Sequence, residues 1–427
     1  MMEYLNASAQ ELEREYESLK KQYEDVKGKG LSLNMARGKP GKAQLDLSLD
    51  MLDVVNSSTD FVGADGMDCR NYGILKGIDE CRKLFGEIFG VDSENVMIGG
   101  SSSLNMMFDA ISCMMTKPIA EGCKPWYEVP DRKFLCPVPG YDRHFGITQY
   151  YGFEMIPVPM DENGPDMDMI EKLVSEDESI KGVWCVPKYA NPTGITYSDE
   201  TVRRFAALKP AAKDFRIMWD NAYCIHDISD APDELLNIYD ECLKTGNEDL
   251  PLMFCSTSKI TFPGAGVAAM AASPNNMKVF TERYNYQIIS YDKINMLRHV
   301  KYFGSYEGLL EHMQKHKAVL APKFEIVLNT LEEQIKPTGT AAWTKPNGGY
   351  FVSIDVLEGT AKRVVALCKE AGLVLTGAGA TYPLGKDPKD SNIRIAPSFP
   401  PNDELQEAMD VFCICAKLAA CEKLLQG

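Results

Sequence analysis

Histidine is scarce in this chain, five residues in 427, and none of them stands in an H-E-x-x-H arrangement. His312 and His316 are four apart on a predicted helix but no third ligand accompanies them, so a solvated face is expected there rather than a metal pair. The 13 cysteines form no C-x-x-C pair, and only Cys413 and Cys415 come close together. This excludes the common zinc and dithiol frameworks, and an odd, scattered set suits free thiols in a reducing cytoplasm. Basic residues are outnumbered 45 to 61, leaving a formal charge of -16. A phosphate backbone would be repelled, which argues against nucleic-acid binding while leaving room for a local pocket for a small anion. No apolar run reaches the roughly 18 residues of a membrane span, and the N-terminus lacks a charged-then-apolar signal. G-x-S-x-G, G-x-G-x-x-G and G-x-x-x-x-G-K-[ST] are missing as well, so a serine-elbow hydrolase, a dinucleotide site and a nucleoside triphosphate site have no support.

What is present is enough apolar residue, 45%, and enough length for two or three domains. From Gln10 to Val26, Leu12, Tyr16, Leu19, Tyr23 and Val26 recur at three- and four-residue steps, the stripe of an amphipathic helix that must cover its own domain or a second subunit. Between Asp92 and Ser273 short apolar runs alternate with helical segments. The runs occupy 94–100, 133–138, 153–158, 181–187, 215–220, 252–256 and 266–272. Several are apolar on consecutive residues, as strands buried on both faces are, which predicts an α/β domain with a mostly parallel, helix-covered sheet. Strand-like runs at 348–355 and 392–396 between long helices predict a second, smaller α+β domain. The expected division is an N-terminal segment 1–60 belonging to the small domain or a dimer arm, a large domain 61–304, and the small domain 305–427.

Polar residues gather just beyond the predicted strands: Gly100 to Ser103, Tyr141, Asn191, Asp220 with Tyr223, and Lys259. Ligands of open α/β sheets bind beyond the carboxyl ends of strands, so these positions should converge. Lys259, in S-T-S-K at the end of an apolar run, is either a surface lysine or one held in a pocket where its amine loses a proton and forms a Schiff base. Ser101, Ser102 and Ser103 follow two glycines where a strand becomes a helix, a cradle for a phosphate or simply a capped helix. Asp220 closes an apolar strand and needs a positive partner, for which a protonated ring nitrogen would serve. Asn191 in Y-A-N-P-T-G reads, in isolation, as a turn residue before proline, and Tyr141 is equally a core or a site residue, whereas Arg394 between isoleucines demands a carboxylate.

N-Y-G at 71–73, G-G-S-S-S at 99–103, N-P-T-G at 191–194, D-N-A-Y at 220–223, S-T-S-K at 256–259 and N-I-R-I-A at 392–396 together resemble, in kind and order, the fold type I pyridoxal-phosphate-dependent aminotransferases. A-R-G-K-P, P-G-Y-D-R-H-F and S-K-I-T-F-x-G-A-G-V are similar to an atypical aspartate aminotransferase subgroup related to the aminotransferase-like part of MocR-type regulators. The resemblance implies that Lys259 holds pyridoxal 5'-phosphate as a Schiff base, with Asp220 on the pyridinium nitrogen, Tyr223 and Asn191 on the ring oxygen, and Tyr141 stacked on the ring. It implies Ser101, Ser102, Ser103 and Ser256 around the phosphate, joined by Tyr72 of a neighbouring subunit in a homodimer. Arg394 would clamp the substrate α-carboxylate with Gly38 and Asn191 nearby, while Arg143, Arg37, Lys39, Lys293 and Arg298 are candidates for a second carboxylate. One departure stands out: Gly266 occupies the position where the family carries a phosphate-binding arginine. The activity implied is transfer of an amino group from aspartate or glutamate to 2-oxoglutarate. The alternatives are an aromatic or aminoadipate aminotransferase, a lyase, or a ligand-sensing regulator on the same scaffold.

Overall fold

The computed structural model describes residues 3–426. Thirteen strands run in the order β1 (Leu33–Asn34), β2 (Val96–Ile98), β3 (Lys133–Val138), β4 (Glu154–Asp161), β5 (Gly164–Pro165), β6 (Ile180–Cys185), β7 (Arg216–Asp220), β8 (Pro251–Ser256), β9 (Ala268–Ala271), β10 (Ala341–Trp343), β11 (Val352–Val356), β12 (Leu373–Val374) and β13 (Asn392–Ile395). The helices are α1 (Ala9–Gly28), α2 (Lys42–Asp46), α3 (Asp79–Phe89), α4 (Ser103–Thr116), α5 (Asp142–Tyr150), α6 (Met167–Glu176), α7 (Asp199–Ala206), α8 (Ile238–Thr245), α9 (Pro274–Tyr284), α10 (Lys293–Phe303), α11 (Tyr306–Gln334), α12 (Ala361–Glu370) and α13 (Asn402–Leu425). Among the described residues no helix is long and apolar enough to cross a membrane.

The large sheet has eight strands in the order β2-β9-β8-β7-β6-β3-β4-β5. The five strands from β8 to β4 pair in parallel, and the antiparallel pairings lie toward the two edges, β9 with both β8 and β2, and β5 with β4. Every residue of β6, β7, β8 and β9 is buried, because helices cover both faces of the sheet. β4, near the edge, buries only Val158. The parallel run sends the carboxyl ends of β3, β6, β7 and β8 to one side. The chain order crosses over between β6 and β3, and that reversal opens the crevice where such sheets bind ligands.

A second core holds the antiparallel sheet β10-β11-β13, the pair β1-β12, and the helices around them. The N-terminal stripe belongs here. Ser8 and Glu11 form a reciprocal capping box that starts α1, and its Leu12, Leu19, Tyr23 and Val26 are buried in the same apolar cluster as Leu405, Phe412 and Ala419 of α13. Of the two coverings open to the stripe, the chain's own second core is the one it takes. α11 joins the two cores: Leu309 and Met313 near its start pack with Ile225 and Ile260, and Leu320, Phe324, Val327 and Leu331 further on pack in the second core. Leu19 is 1% exposed. Replacing it with alanine should cost about 2–5 kcal/mol, read as a lowered urea midpoint, and an unchanged midpoint would mean that α1 does not hold the second core together.

Candidate functional site

Asp220 is the last residue of β7 and is buried, with 3% exposure. Its Oδ2 lies 3.0 Å from Nε2 of His144, one turn into α5, and its Oδ1 has no hydrogen-bond partner. The His144 ring is fixed by stacking on Trp184 of β6, with centroids 4.3 Å apart and planes 9° from parallel. Leaving a buried carboxyl oxygen unpaired costs about 1–3 kcal/mol, more if it is charged, unless a donor arrives. A cationic ring nitrogen is such a donor, so the residues present fit a pyridinium cofactor.

Lys259 follows β8 at the end of a short 3-10 turn, Thr257–Lys259, and is half-buried. Its Nζ stands 4.9 Å from the centroid of the Tyr223 ring. Burial, then Asp220, pushes the Tyr223 hydroxyl well up, with Arg394 pulling the other way. Tyr141 caps the start of α5 edge-on to His144; burial raises its hydroxyl to about 12, against the pull of Lys259. These residues therefore meet in one place, as the strand-end argument expects.

Arg394 on β13 reaches the same place from the second core. Nη1 donates to Asn191 Oδ1 at 3.0 Å and to Asp142 Oδ1 at 3.2 Å, Nη2 donates to Thr376 Oγ1 at 3.2 Å, and Nε is buried without a partner. The guanidinium lies 4.8 Å over the Phe351 ring. Gly38 lies against the far end of that ring, since a Cβ there would come within 2.4 Å of Phe351 Cζ. Any larger residue at 38 would thus displace the platform under Arg394.

The serine cradle sits where expected. Ser102 is the N-cap residue of α4 and Ser103 its first residue. Ser256 Oγ donates to Ser258 Oγ at 3.1 Å, which donates to the Ser101 carbonyl at 3.1 Å, so Ser258 joins the group although the sequence did not single it out. Gly266 closes against the same loop: a Cβ would lie 2.8 Å from the Ser101 oxygen and 3.4 Å from the Ser258 nitrogen. The backbone has no space for the family's arginine at this position. Asn295 of α10 holds the loop from behind, donating to the carbonyls of Ala265 and Gly266 at 3.0 Å each.

The remaining sequence candidates lie elsewhere. Tyr72 is 74% exposed and takes no part in the cluster. Arg143 and Arg37 are exposed, Lys39 stacks on Phe399 at 3.8 Å, Lys293 is buried and donates to Ser290 Oγ at 2.9 Å, and Arg298 donates to Asn295. One expectation is overturned. His312 and His316 face no solvent; they are buried, and both turn Nε2 to the carbonyl oxygen of Ile260, at 2.9 and 2.8 Å. Polar residues four apart on a helix read as a wet face only when nothing packs on it, and here the turn after Lys259 does. His144, Asp142, Thr376, Phe351 and Trp184 went unrecognised for a similar reason: their partners are distant in sequence, and only P-G-Y-D-R-H-F, the motif that contains Tyr141, drew attention to the first two.

The profile of the family described as aspartate amino-transferase matches residues 7–427. An aspartate aminotransferase of Corynebacterium glutamicum is 46% identical over 407 residues, 95% of this chain and 94% of that protein. The crystal structure of an aspartate transaminase from C. glutamicum superposes with a TM-score of 0.96, 45% identity and 99% of both chains covered. At 21% identity, the fold is shared with a Pyrococcus horikoshii kynurenine aminotransferase solved with PMP, with a TM-score of 0.74 and coverage of 90% and 91%.

The buried histidines carry a pH consequence. Burial lowers His299 and His316 to about 4, and lowers His312 and His226 as well. The unfolded chain takes up these protons near pH 6.5 and the folded one only lower, so stability is complete above about 6.5 and falls as pH drops toward 4, by up to about 1.4 kcal/mol per pH unit for each fully buried ring. The urea midpoint should be lower at pH 5 than at pH 7, and His299→Gln should flatten that slope. Equal midpoints at the two pH values would contradict the neutral assignment.

Proposed function

This chain belongs to the aspartate amino-transferase family, and we propose that as an aminotransferase it moves the amino group of aspartate or glutamate to a 2-oxo acid such as 2-oxoglutarate. The observation that carries the choice of substrate is the likeness, over nearly the whole of both chains, to the C. glutamicum aspartate aminotransferase. When bound, pyridoxal 5'-phosphate supplies an aldehyde that takes the substrate amine and a cationic ring that accepts the electron pair left on the α-carbon.

The chain's residues supply the rest. Asp220, with one oxygen taken by His144 and the other unpaired, keeps a proton on the ring nitrogen. Lys259 would hold the cofactor through its aldehyde and, with its amine free, would act as the base that takes the α-proton of the substrate and hands it to the cofactor's aldehyde carbon. Tyr223 and Asn191 would hold the ring oxygen, and Tyr141 would cover the ring face. Ser101, Ser102, Ser103, Ser256 and Ser258, at the positive end of α4, hold the phosphate, with hydroxyls and backbone N–H groups standing in for the arginine that Gly266 cannot be. Arg394 binds the substrate α-carboxylate, kept at the right angle by Asn191, Asp142 and the Phe351 ring next to Gly38. Arg143, exposed on α5 between Asp142 and His144, is a candidate for the second carboxylate. Tyr72, 74% exposed within one protomer, serves the partner's phosphate in a homodimer. A cytoplasmic setting accords with 13 free cysteines.

Purified holoprotein should be yellow, and aspartate and glutamate, added in separate cuvettes, should each bleach it at least about tenfold faster than tyrosine or 2-aminoadipate do, a difference of about 1.4 kcal/mol in barrier. Faster bleaching by an aromatic amino acid or by 2-aminoadipate, or release of pyruvate without an acceptor, would assign another reaction of the same cofactor.

A further inference from the structure

Against the backbone carbonyls of Lys259 and Ile260 lies a buried polar cluster that the amino-transfer chemistry does not use. The carbonyl oxygen of Ile260 receives Nε2 of His312 at 2.9 Å and Nε2 of His316 at 2.8 Å, and the two nitrogens are 3.1 Å apart. Both rings can converge on one oxygen only if each carries its hydrogen on Nε2, since then neither competes to donate to the other. That leaves both Nδ1 atoms as acceptors. His316 Nδ1 takes an N–H of Gln44 at 3.3 Å, and the second N–H of the same amide goes to the Tyr350 oxygen at 2.7 Å. Tyr350 in turn donates to the carbonyl of Lys259 at 3.2 Å, and Gln44 Oε1 accepts from the Gly41 N–H at 3.2 Å. His312 Nδ1 faces the Tyr302 hydroxyl at 3.4 Å. That hydroxyl donates to the Leu47 carbonyl at 2.8 Å, so His312 Nδ1 is left without a donor, while the other groups of the set have partners of the right kind, which a buried network needs if it is not to cost stability.

Two consecutive peptide carbonyls, those of Lys259 and Ile260, are thus held by side chains from elsewhere. The histidines come from the first half of α11, whose second half is part of the second core. Gln44 comes from α2, in the N-terminal segment. We propose that this cluster is a positioning device for Lys259: it fixes the peptide units on the C-terminal side of the lysine, so that the reach of the amine is set by where α11 and α2 stand relative to the large sheet. His312, His316, Gln44 and Tyr350 then act on the reaction through Lys259 without touching substrate. The inference rests on the reading of Lys259 as the cofactor-bearing lysine. Burial keeps both imidazoles neutral at neutral pH, which preserves the two Nε2 donors.

The test compares holoenzyme variants His316→Phe, His316→Gln and Tyr350→Phe with the parent, using whichever amino acid bleaches the parent fastest. His316→Phe should lower kcat by about 10- to 100-fold with KM changed less than about threefold, because a lysine displaced by a fraction of an ångström still lets substrate bind. The pH midpoint of the yellow band, which reports the protonated linkage between Lys259 and the cofactor, should move by about half a unit or more. His316→Gln, which keeps an N–H donor, should recover most of both effects. Tyr350→Phe removes only the hydroxyl on Lys259 and should move the midpoint as well, which keeps the test open if His316→Phe fails to fold. A folded His316→Phe or Tyr350→Phe protein with unchanged kcat and an unchanged midpoint overturns the proposal. So does a loss of activity that merely follows a loss of folded protein in urea. A parent that no amino acid bleaches would count against the proposed substrates and not against this cluster, since the midpoints of the parent and variants remain comparable.

Discussion

One carboxyl group, removed from water and left half satisfied, sets the terms for the site. Asp220 gives Oδ2 to His144 and keeps Oδ1 unpaired inside the protein. The arrangement is unfavourable by itself and becomes favourable when a cation with a directed hydrogen fills the gap. The surroundings serve to keep it so. Trp184 stacks flat on His144 and prevents the imidazole from turning away, and β7 delivers the aspartate at the end of a strand with no exposed residue. A solvent-exposed aspartate would be paired with water and would discriminate little between a protonated and an unprotonated ring.

Around that carboxyl the architecture brings together groups from both cores. The parallel strands place Asn191, Asp220 and Lys259 on one rim, while Arg394 arrives from the antiparallel sheet of the second core and hydrogen-bonds Asn191 and Asp142 of the first. In the proposed function, the group that binds the substrate carboxylate comes from the second core and the groups that hold the cofactor from the rim of the large sheet. α11 runs from one to the other, and its buried histidines end on the peptide next to Lys259.

Much of this was legible in the sequence, for identifiable reasons. Strands buried on both faces leave consecutive apolar residues, so β6, β7 and β8 announce themselves, and polar residues just beyond them must lie on one rim. Ordered motifs such as D-N-A-Y and S-T-S-K then named the family that the whole-chain comparison also finds. What escaped the sequence depends on tertiary neighbours. The motif P-G-Y-D-R-H-F draws attention to His144, but it does not name Asp220, 76 positions away, as its partner. The spacing of His312 and His316 is as compatible with a wet helix face as with a dry one, and only the turn packed on that face decides. The absence of an arginine at 266 was visible, but its cause, the Ser101 carbonyl that a Cβ would strike, exists only in three dimensions.

The claim on which all of this depends is that one particular amine carries the cofactor. Reduction of the yellow holoprotein with borohydride, followed by proteolysis and mass spectrometry of the peptides, locates the attached group directly. The account requires a pyridoxyl-phosphate mass on the peptide containing Lys259 and on no other lysine. Finding the label on Lys293, on Lys188 or on no lysine at all would contradict it.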